Sequence, residues 1–277
     1  GLRGNRKVYC GFVFMRADKY FSEKFGSRTK AAEAIERGLV LKDGQPLRPK
    51  DEISSLEGIS FVVAEESYVS NGGYKLARAF QEFSYTCEGK IFADIGASTG
   101  GFTDCLLQHG ARKVYAVDVG ESLLHPSLRE NVKVVSLENI NARYLTKEKF
   151  SDTIDGVTAD VSFISLRLVL PVVKSVLSPD GVAFVLIKPQ FECERKNIGK
   201  SGIVRIAEHP KVVAKVLSYC DECGLFPFGI VNAPVRKGKN LEYVLYLKNT
   251  SAGACSDSVI LEKIRTLLKQ YAQGNLK

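Results

Sequence analysis

The chain has 277 residues, room for two domains, and its 45% apolar and 25% charged content is that of an ordinary soluble globular protein. It has no apolar run of about eighteen residues, which excludes a simple membrane-spanning helix, and its N-terminal stretch lacks the apolar core and cleavage site of a signal peptide. A formal net charge of +8 favours a polyanionic partner, nucleic acid above all, and an odd count of seven cysteines fits reduced cytosolic thiols better than a disulfide framework.

In chain order, the pattern of a folded unit starts at Arg16, which leaves residues 1–15 as a leader. Residues 16–64 read as a small α/β unit. A first helix is expected over Asp18–Phe25 and is broken at Gly26-Ser27. Ser27 then caps a second helix, RTKAAEAIERG, which stops at Gly38. LVLKDGQPL reads as a β-hairpin turning at Asp43-Gly44, and Ile59–Ala64 as a further strand. Arg16, Lys19, Arg28 and Lys30 flank the two helices. Such charges suit phosphate contacts, which position a protein on RNA without reading its sequence, and they equally suit a solvated helix face. Residues 65–74, with SYVSNGG, read as a linker.

From Lys75 onward, strand-like apolar runs alternate with amphipathic stretches such as Leu166–Leu177 and Pro210–Cys223. The expected strands are Ile91–Ile95, Val114–Asp118, Val132–Leu137, Gly156–Asp160, Val182–Lys188, Phe228–Ala233 and Tyr243–Lys248. This alternation predicts an α/β fold with a Rossmann-like, seven-stranded, mostly parallel sheet covered on both faces. The last two strands have no helix between them and predict an antiparallel hairpin at one edge. The domain is expected over residues 75–250, with a linker and terminal helix over 251–277.

The stretch DIGASTGGFTDCLLQHG follows the first of these strands, where the crevice of a doubly wound sheet is expected. Its glycines at 96, 100 and 101 fit neither the GxGxxG dinucleotide fingerprint nor the P-loop, which needs a Lys-Ser/Thr pair. A loop led by an acidic residue, Asp94, suits a positively charged ligand, and Asp118 ends the next strand where it can accept hydrogen bonds from a ribose diol. The pairing describes an S-adenosylmethionine site, with a nucleotide site and a purely structural turn as the competing readings. On the first reading Asp94 lies near the methionine moiety. Gly96, Ser98, Thr99, Gly100, Gly101 and Phe102 form the loop, and Val119, next to Asp118, is a further expected cofactor contact. After the third strand, Glu138, Asn139 and Ile140 could address the adenine, Asn139 its edge and Ile140 its face; the alternative is a plain turn. His109, His125 and His209 are scattered, and the CxxC of Cys220 and Cys223 has no second pair at zinc spacing, so no metal is expected.

The segments YVSNGGYKLARAF, ADIGASTGGFTDCLLQHGARKVYAVDVG, ADVSFISL and LIKPQFE, in this order, make the chain similar to the TlyA/haemolysin-A family from about Arg16 to Lys248. The resemblance implies an S-four-type RNA-binding domain at residues 16–64, which RTKAAEAIERG also resembles, followed by an FtsJ-like methyltransferase domain. It further implies S-adenosylmethionine as cofactor, ribosomal RNA or ribosomal subunits as partner, methyl transfer to cytidine 2′-hydroxyls, a cytoplasmic location and no membrane association. The family's Lys-Asp-Lys-Glu tetrad falls on Lys75, Asp160, Lys188 and Glu242. Two departures stand out: Asn71 replaces an arginine present in many relatives, and Lys239 stands where a glycine often precedes Asn-x-Glu.

Two roles are open to Lys188 at the end of its strand: a neutral amine that draws the proton from a ribose hydroxyl, or an ammonium that stabilises the developing alkoxide. Pro189-Gln190 would shape the crevice behind it. Basic residues Arg195, Lys196, Arg236 and Lys237 lie on loops expected near the crevice and could guide an RNA strand. Two rival functions are an RNA-binding module that keeps the cofactor fold without turnover and a haemolysin-like membrane-active protein.

Overall fold

The structure is a computed structural model that describes residues 8–9, 12–61 and 67–276, with side chains from Phe14 onward. The chain forms two compact units, Gly1–Ser67 and Tyr68–Lys277.

In the first unit β1 (Val8–Tyr9) pairs antiparallel with β2 (Phe12–Val13), within the stretch expected to be a leader. β3 (Met15–Arg16) leads into α1 (Ala17–Tyr20) and α2 (Arg28–Glu36), followed by β4 (Val40–Lys42), β5 (Gln45–Pro46), β6 (Glu52–Ile53) and β7 (Ile59–Phe61). β3 pairs with β6, and β4 with both β5 and β7. The first helix is shorter than the expected Asp18–Phe25. The Ser22 hydroxyl donates to the Lys19 carbonyl at 2.7 Å, a local bond of the kind that competes with helix propagation. The second helix starts where expected, with Ser27 Oγ accepting from Lys30 N at 3.1 Å. Asp43 and Gly44 take φ of 50° and 76°, the paired positive values that a two-residue hairpin turn requires. The last expected strand is described as far as Phe61; Val62–Ala64 and the following Glu65-Glu66 lie outside the described residues.

The second unit begins ahead of the expected Lys75. Tyr68 is buried, and Val69 N donates to Asp104 Oδ2 at 2.8 Å, so the expected linker is partly built into the unit. Its elements are α3 (Gly72–Glu82), β8 (Ile91–Ile95), α4 (Gly101–Gln108), β9 (Lys113–Val117), α5 (Pro126–Arg129), β10 (Val134–Leu137), β11 (Ile154–Ala159), α6 (Leu166–Val176), β12 (Leu177–Ile187), α7 (Pro189–Glu192), α8 (His209–Cys223), β13 (Phe226–Asn232), β14 (Tyr243–Lys248) and α9 (Asp257–Ala272). Seven strands form one sheet in the order β10-β9-β8-β11-β12-β14-β13, with β14 alone running antiparallel to both its neighbours. The expected mostly parallel sheet with an edge hairpin is present.

One face of the sheet packs against α6, α8 and α9, and the other against α3 and α4. Ile260, Ile264, Leu267 and Leu268 of α9 belong to the first cluster, so the C-terminal helix completes the core instead of trailing from it. On the other face, Phe184 of β12 is fully buried and stacks on Tyr246 of β14 with centroids 4.7 Å apart. Truncation of this ring leaves a cavity that packed neighbours cannot close. Phe184→Ala is expected to cost about 3–5 kcal/mol, measured as the shift in a urea unfolding transition.

Candidate active site

The strands β8, β9, β11 and β12 end along one edge of the sheet. At the end of β8 the chain turns at Gly96, with φ of 80°, and a Cβ there would lie 2.5 Å from the carbonyl oxygen of Asp160. Only glycine lets this loop pass so close to the end of β11. Gly100, with φ of 96°, caps α4. Asp118, just past β9, closes the loop from the other side: its carboxylate accepts from Ser98 N at 2.7 Å and from Gly120 N at 2.8 Å.

A cavity of about 650 Å³ opens beside this loop, within the ordinary range of small-molecule sites of about 300–1,000 Å³. Gly96, Ser98, Asp118, Val119 and Ile140 line it, all of them expected cofactor contacts. Asn139 does not line it and has φ of 56° in the turn that presents Ile140. Glu138 lies outside it too, accepting from Ser122 N at 3.1 Å. Thr99, Gly101 and Phe102 line a separate cavity of about 160 Å³ together with Asp160, Ser162 and Lys188.

Asp94 is not where the sequence suggests. It has 0% exposure and does not line the larger cavity. Its oxygens accept from the hydroxyls of Thr103 on α4 at 2.7 Å and Thr158 on β11 at 3.0 Å. Burial outweighs these bonds and pushes its carboxyl up to about 7. Asp94 therefore braces the loop from below, and of the two carboxylates Asp118 is the one that lines the cavity.

The tetrad positions assemble as two ion pairs. Lys188 Nζ lies 2.5 Å from Asp160 Oδ1 and donates to Ser162 Oγ at 2.9 Å. Lys75 Nζ lies 2.7 Å from Glu242 Oε2, and Gln190 Nε2 donates to Glu242 Oε1 at 3.1 Å. All four charged side chains are at most 21% exposed, so solvent screens these pairs less than it screens surface pairs. Asp160 lines both the 650 Å³ and the 160 Å³ cavities and so joins them. Lys75 and Glu242 line a third, of about 240 Å³, with Gln190, Arg236 and Lys239.

Sequence reasoning assigned no role to Ser162, which positions the lysine, or to Thr103 and Thr158. It also missed Arg143 and Phe163, which line the large cavity; Phe163 is 91% exposed and holds φ of 62°. Ser162 and Phe163 sit in the quoted ADVSFISL, where the signal was visible but unassigned. Of the expected RNA contacts, Arg236 lines the third cavity, Lys237 and Arg195 are exposed, and Lys196 pairs with Glu194 at 2.7 Å. In the first unit Arg16 and Arg28 both reach the buried Asp18, at 2.6 and 3.3 Å, while Lys19 and Lys30 are exposed. Cys220 and Cys223 fall in the last turn of α8, and burial pushes both thiols up, away from the reactive thiolate.

A mostly parallel sheet with an antiparallel last-but-one strand and a glycine loop after its first strand is the Rossmann-like fold of the S-adenosylmethionine-dependent methyltransferases. A methyltransferase from Mesorhizobium loti, 13% identical with a TM-score of 0.50, covers 65% of this chain and is matched over 100% of its own length, and it shares that fold. Residues 68–250 match the FtsJ-like methyltransferases, and the chain belongs to that family. Hemolysin A of Brachyspira hyodysenteriae is 42% identical across 84% of this chain and 99% of its own. The 16S/23S rRNA (cytidine-2′-O)-methyltransferase TlyA of Mycobacterium tuberculosis is 39% identical across 83% and 87%. A solved structure from Streptococcus thermophilus, which carries a provisional hemolysin name, is 34% identical with a TM-score of 0.71, covering 94% of this chain and 98% of its own.

Two outcomes test this geometry. Asp118→Ala removes the carboxylate that lines the cavity and holds the loop, and is expected to weaken S-adenosylmethionine binding about tenfold or more, read by calorimetry. Asp94 binds its proton more tightly folded, at about 7, than unfolded, at the ordinary 3.8. Its stabilising contribution is therefore complete below pH 3.8 and is lost as pH rises through about 7. Asp94→Asn is expected to flatten the fall in melting temperature across that window.

Proposed function

We propose that the protein transfers a methyl group from S-adenosylmethionine to the 2′-hydroxyl of cytidines in ribosomal RNA. The observation that carries this reading is the pair of ion pairs, Lys188–Asp160 and Lys75–Glu242, assembled beside a cavity of cofactor size. Two relatives named for this reaction on ribosomal RNA, at 39% and 34% identity, support it. When bound, S-adenosylmethionine supplies a methyl already activated by its sulfonium. A ribose hydroxyl is a poor nucleophile at neutral pH, so the protein's share is to orient the hydroxyl, accept its proton and shield the developing charge.

Asp160 and Ser162 fix the Lys188 ammonium at the boundary of the cofactor cavity. The held ammonium stabilises oxygen anion character, and the hydroxyl proton passes to the Asp160 carboxylate, the member of the pair with lone pairs to take it. Lys75 and Glu242 complete the alternation of charge. Together the four groups balance to zero, which leaves the RNA phosphates to be met by other residues.

Those residues are Arg195, Lys196, Arg236 and Lys237 around the site, and Arg16, Lys19, Arg28 and Lys30 on the first unit, which acts as an S-four-type RNA-binding domain. The buried Asp18 holds Arg16 and Arg28 in place, so their guanidinium groups are presented with less conformational freedom to lose. A ribosomal substrate places the protein in the cytoplasm.

The test supplies labelled S-adenosylmethionine and ribosomal subunits that lack the modification, followed by nucleoside analysis. Label is expected as 2′-O-methylcytidine, with Lys188→Ala slowing transfer by at least about a hundredfold while S-adenosylmethionine still binds. Cofactor binding without transfer by the wild type would instead indicate a binding module.

A further inference from the structure

The Glu192 side chain is buried, at 4% exposure, and lies outside the tetrad. It ends α7, the short helix that follows Lys188, and it reaches across to the start of α6. Oε1 accepts from Leu166 N at 2.7 Å, and Oε2 accepts from the Ser165 hydroxyl at 2.8 Å. Leu166 N is one of the donors that a helix start leaves unpaired, and the helix dipole favours negative charge there. Capping alone does not account for the residue. Ser165 already caps α6 locally, accepting from Arg167 N at 3.2 Å. What Glu192 adds is a tie between two segments distant in sequence.

Those segments are the ones that carry the Lys188–Asp160 pair. Asp160 opens the stretch from β11 to α6, and Leu166 closes it. Lys188 opens the stretch after β12, and Glu192 closes it. The ion pair and the bond from Lys188 to Ser162 join the near ends. The Glu192 bonds join the far ends, and the rings of Phe163 and Phe191 meet between them with centroids 5.0 Å apart. Phe163 is 91% exposed and holds φ of 62°, a costly conformation for a bulky residue. Such a turn keeps its shape only where the surrounding structure pins it, and Ser162, which steadies the Lys188 ammonium, adjoins it. The brace is anchored from behind as well, since Lys215 of α8 donates to the Glu192 carbonyl oxygen at 3.0 Å.

We propose that Glu192 is a positioning residue for methyl transfer: by pinning the start of α6 it keeps Ser162, and through Ser162 the Lys188 ammonium, aimed at the reacting hydroxyl. The proposal rests on the transfer reaction above. It adds to that reaction a group that lines none of the cavities described for the site.

The experiment uses the full chain with labelled S-adenosylmethionine and unmodified ribosomal subunits, both saturating, at a temperature well below each variant's melting point. Glu192→Ala is expected to lower kcat about tenfold or more, because small misplacements at a reacting centre are costly, with KM for the subunit and the circular dichroism spectrum unchanged. Glu192→Gln can still accept from Leu166 N and donate to the Ser165 hydroxyl, and is expected to keep kcat within about twofold of wild type. In a Ser162→Ala background, Glu192→Ala is expected to cost no more than about a further twofold, since residues acting through one another are not additive. Should Glu192→Ala fail to fold, Glu192→Asp carries the same expectations, keeping the charge and shortening the reach by one methylene. A lowered melting temperature with wild-type kcat in every folded variant would overturn the proposal and leave Glu192 as a helix brace. Effects that multiply in the double variant would overturn it as well. Absence of transfer by the wild type would instead refute the reaction itself.

Discussion

The site depends on a buried carboxylate that lines none of the cavities described above. Asp94 is sealed inside the second unit and accepts from two hydroxyls, Thr103 on the helix after the loop and Thr158 on the neighbouring strand. Burying such a group is costly unless hydrogen bonds compensate. The geometry of least cost is the one in which β8, α4 and β11 hold fixed positions about Asp94. The glycine loop is strung between the first two of these elements. Asp160 sits just beyond the end of the third, so a brace at Thr158 also sets the carboxylate that pairs with Lys188. Cofactor loop and ion pair are thereby referred to one buried point.

Around that point, charge is arranged in sequence along the strand ends. Asp118 stands at one side of the large cavity, Asp160 at the other, then Lys188, and the Lys75–Glu242 pair lines a further cavity. Each charge has a partner or a set of backbone donors, so none needs a bound ligand to be tolerated.

Much of this was legible in the sequence, for a physical reason. Buried parallel strands must be nearly all apolar, so IFADI, VYAV and VAFVLI announce themselves, and glycine at a positive φ is hard to replace. The tetrad positions were found by motif, and the structure brings them together in pairs. The role of Asp94 was not legible. An acidic residue at a strand end looks the same whether it faces a cavity or the core, and what decides is Thr158, distant in sequence, meeting it across the β8–β11 pair. Strand ends were missed for similar reasons. β12 begins at Leu177, because Leu177 pairs with Ile154 through an irregularity in register, although SPDG alone reads as a turn. At Val132 an apolar residue suggested a strand, yet it is 97% exposed and precedes the ladder.

The segment that leads to Glu242 is held in place without a glycine at position 239. Gly238 turns the chain in the left-handed region, with φ of 74°. Asn240 then locks the following segment: its Nδ2 donates to Gly202 O at 2.9 Å and its Oδ1 accepts from Val204 N at 2.8 Å. A side chain that bonds two backbone groups of another loop fixes its own backbone nearly as well as a ladder would. Glu242, two residues on, pairs with Lys75 from this anchored segment. The constraint on this segment is the position of a carboxylate, and a glycine at one fixed place is only one of the ways to satisfy it.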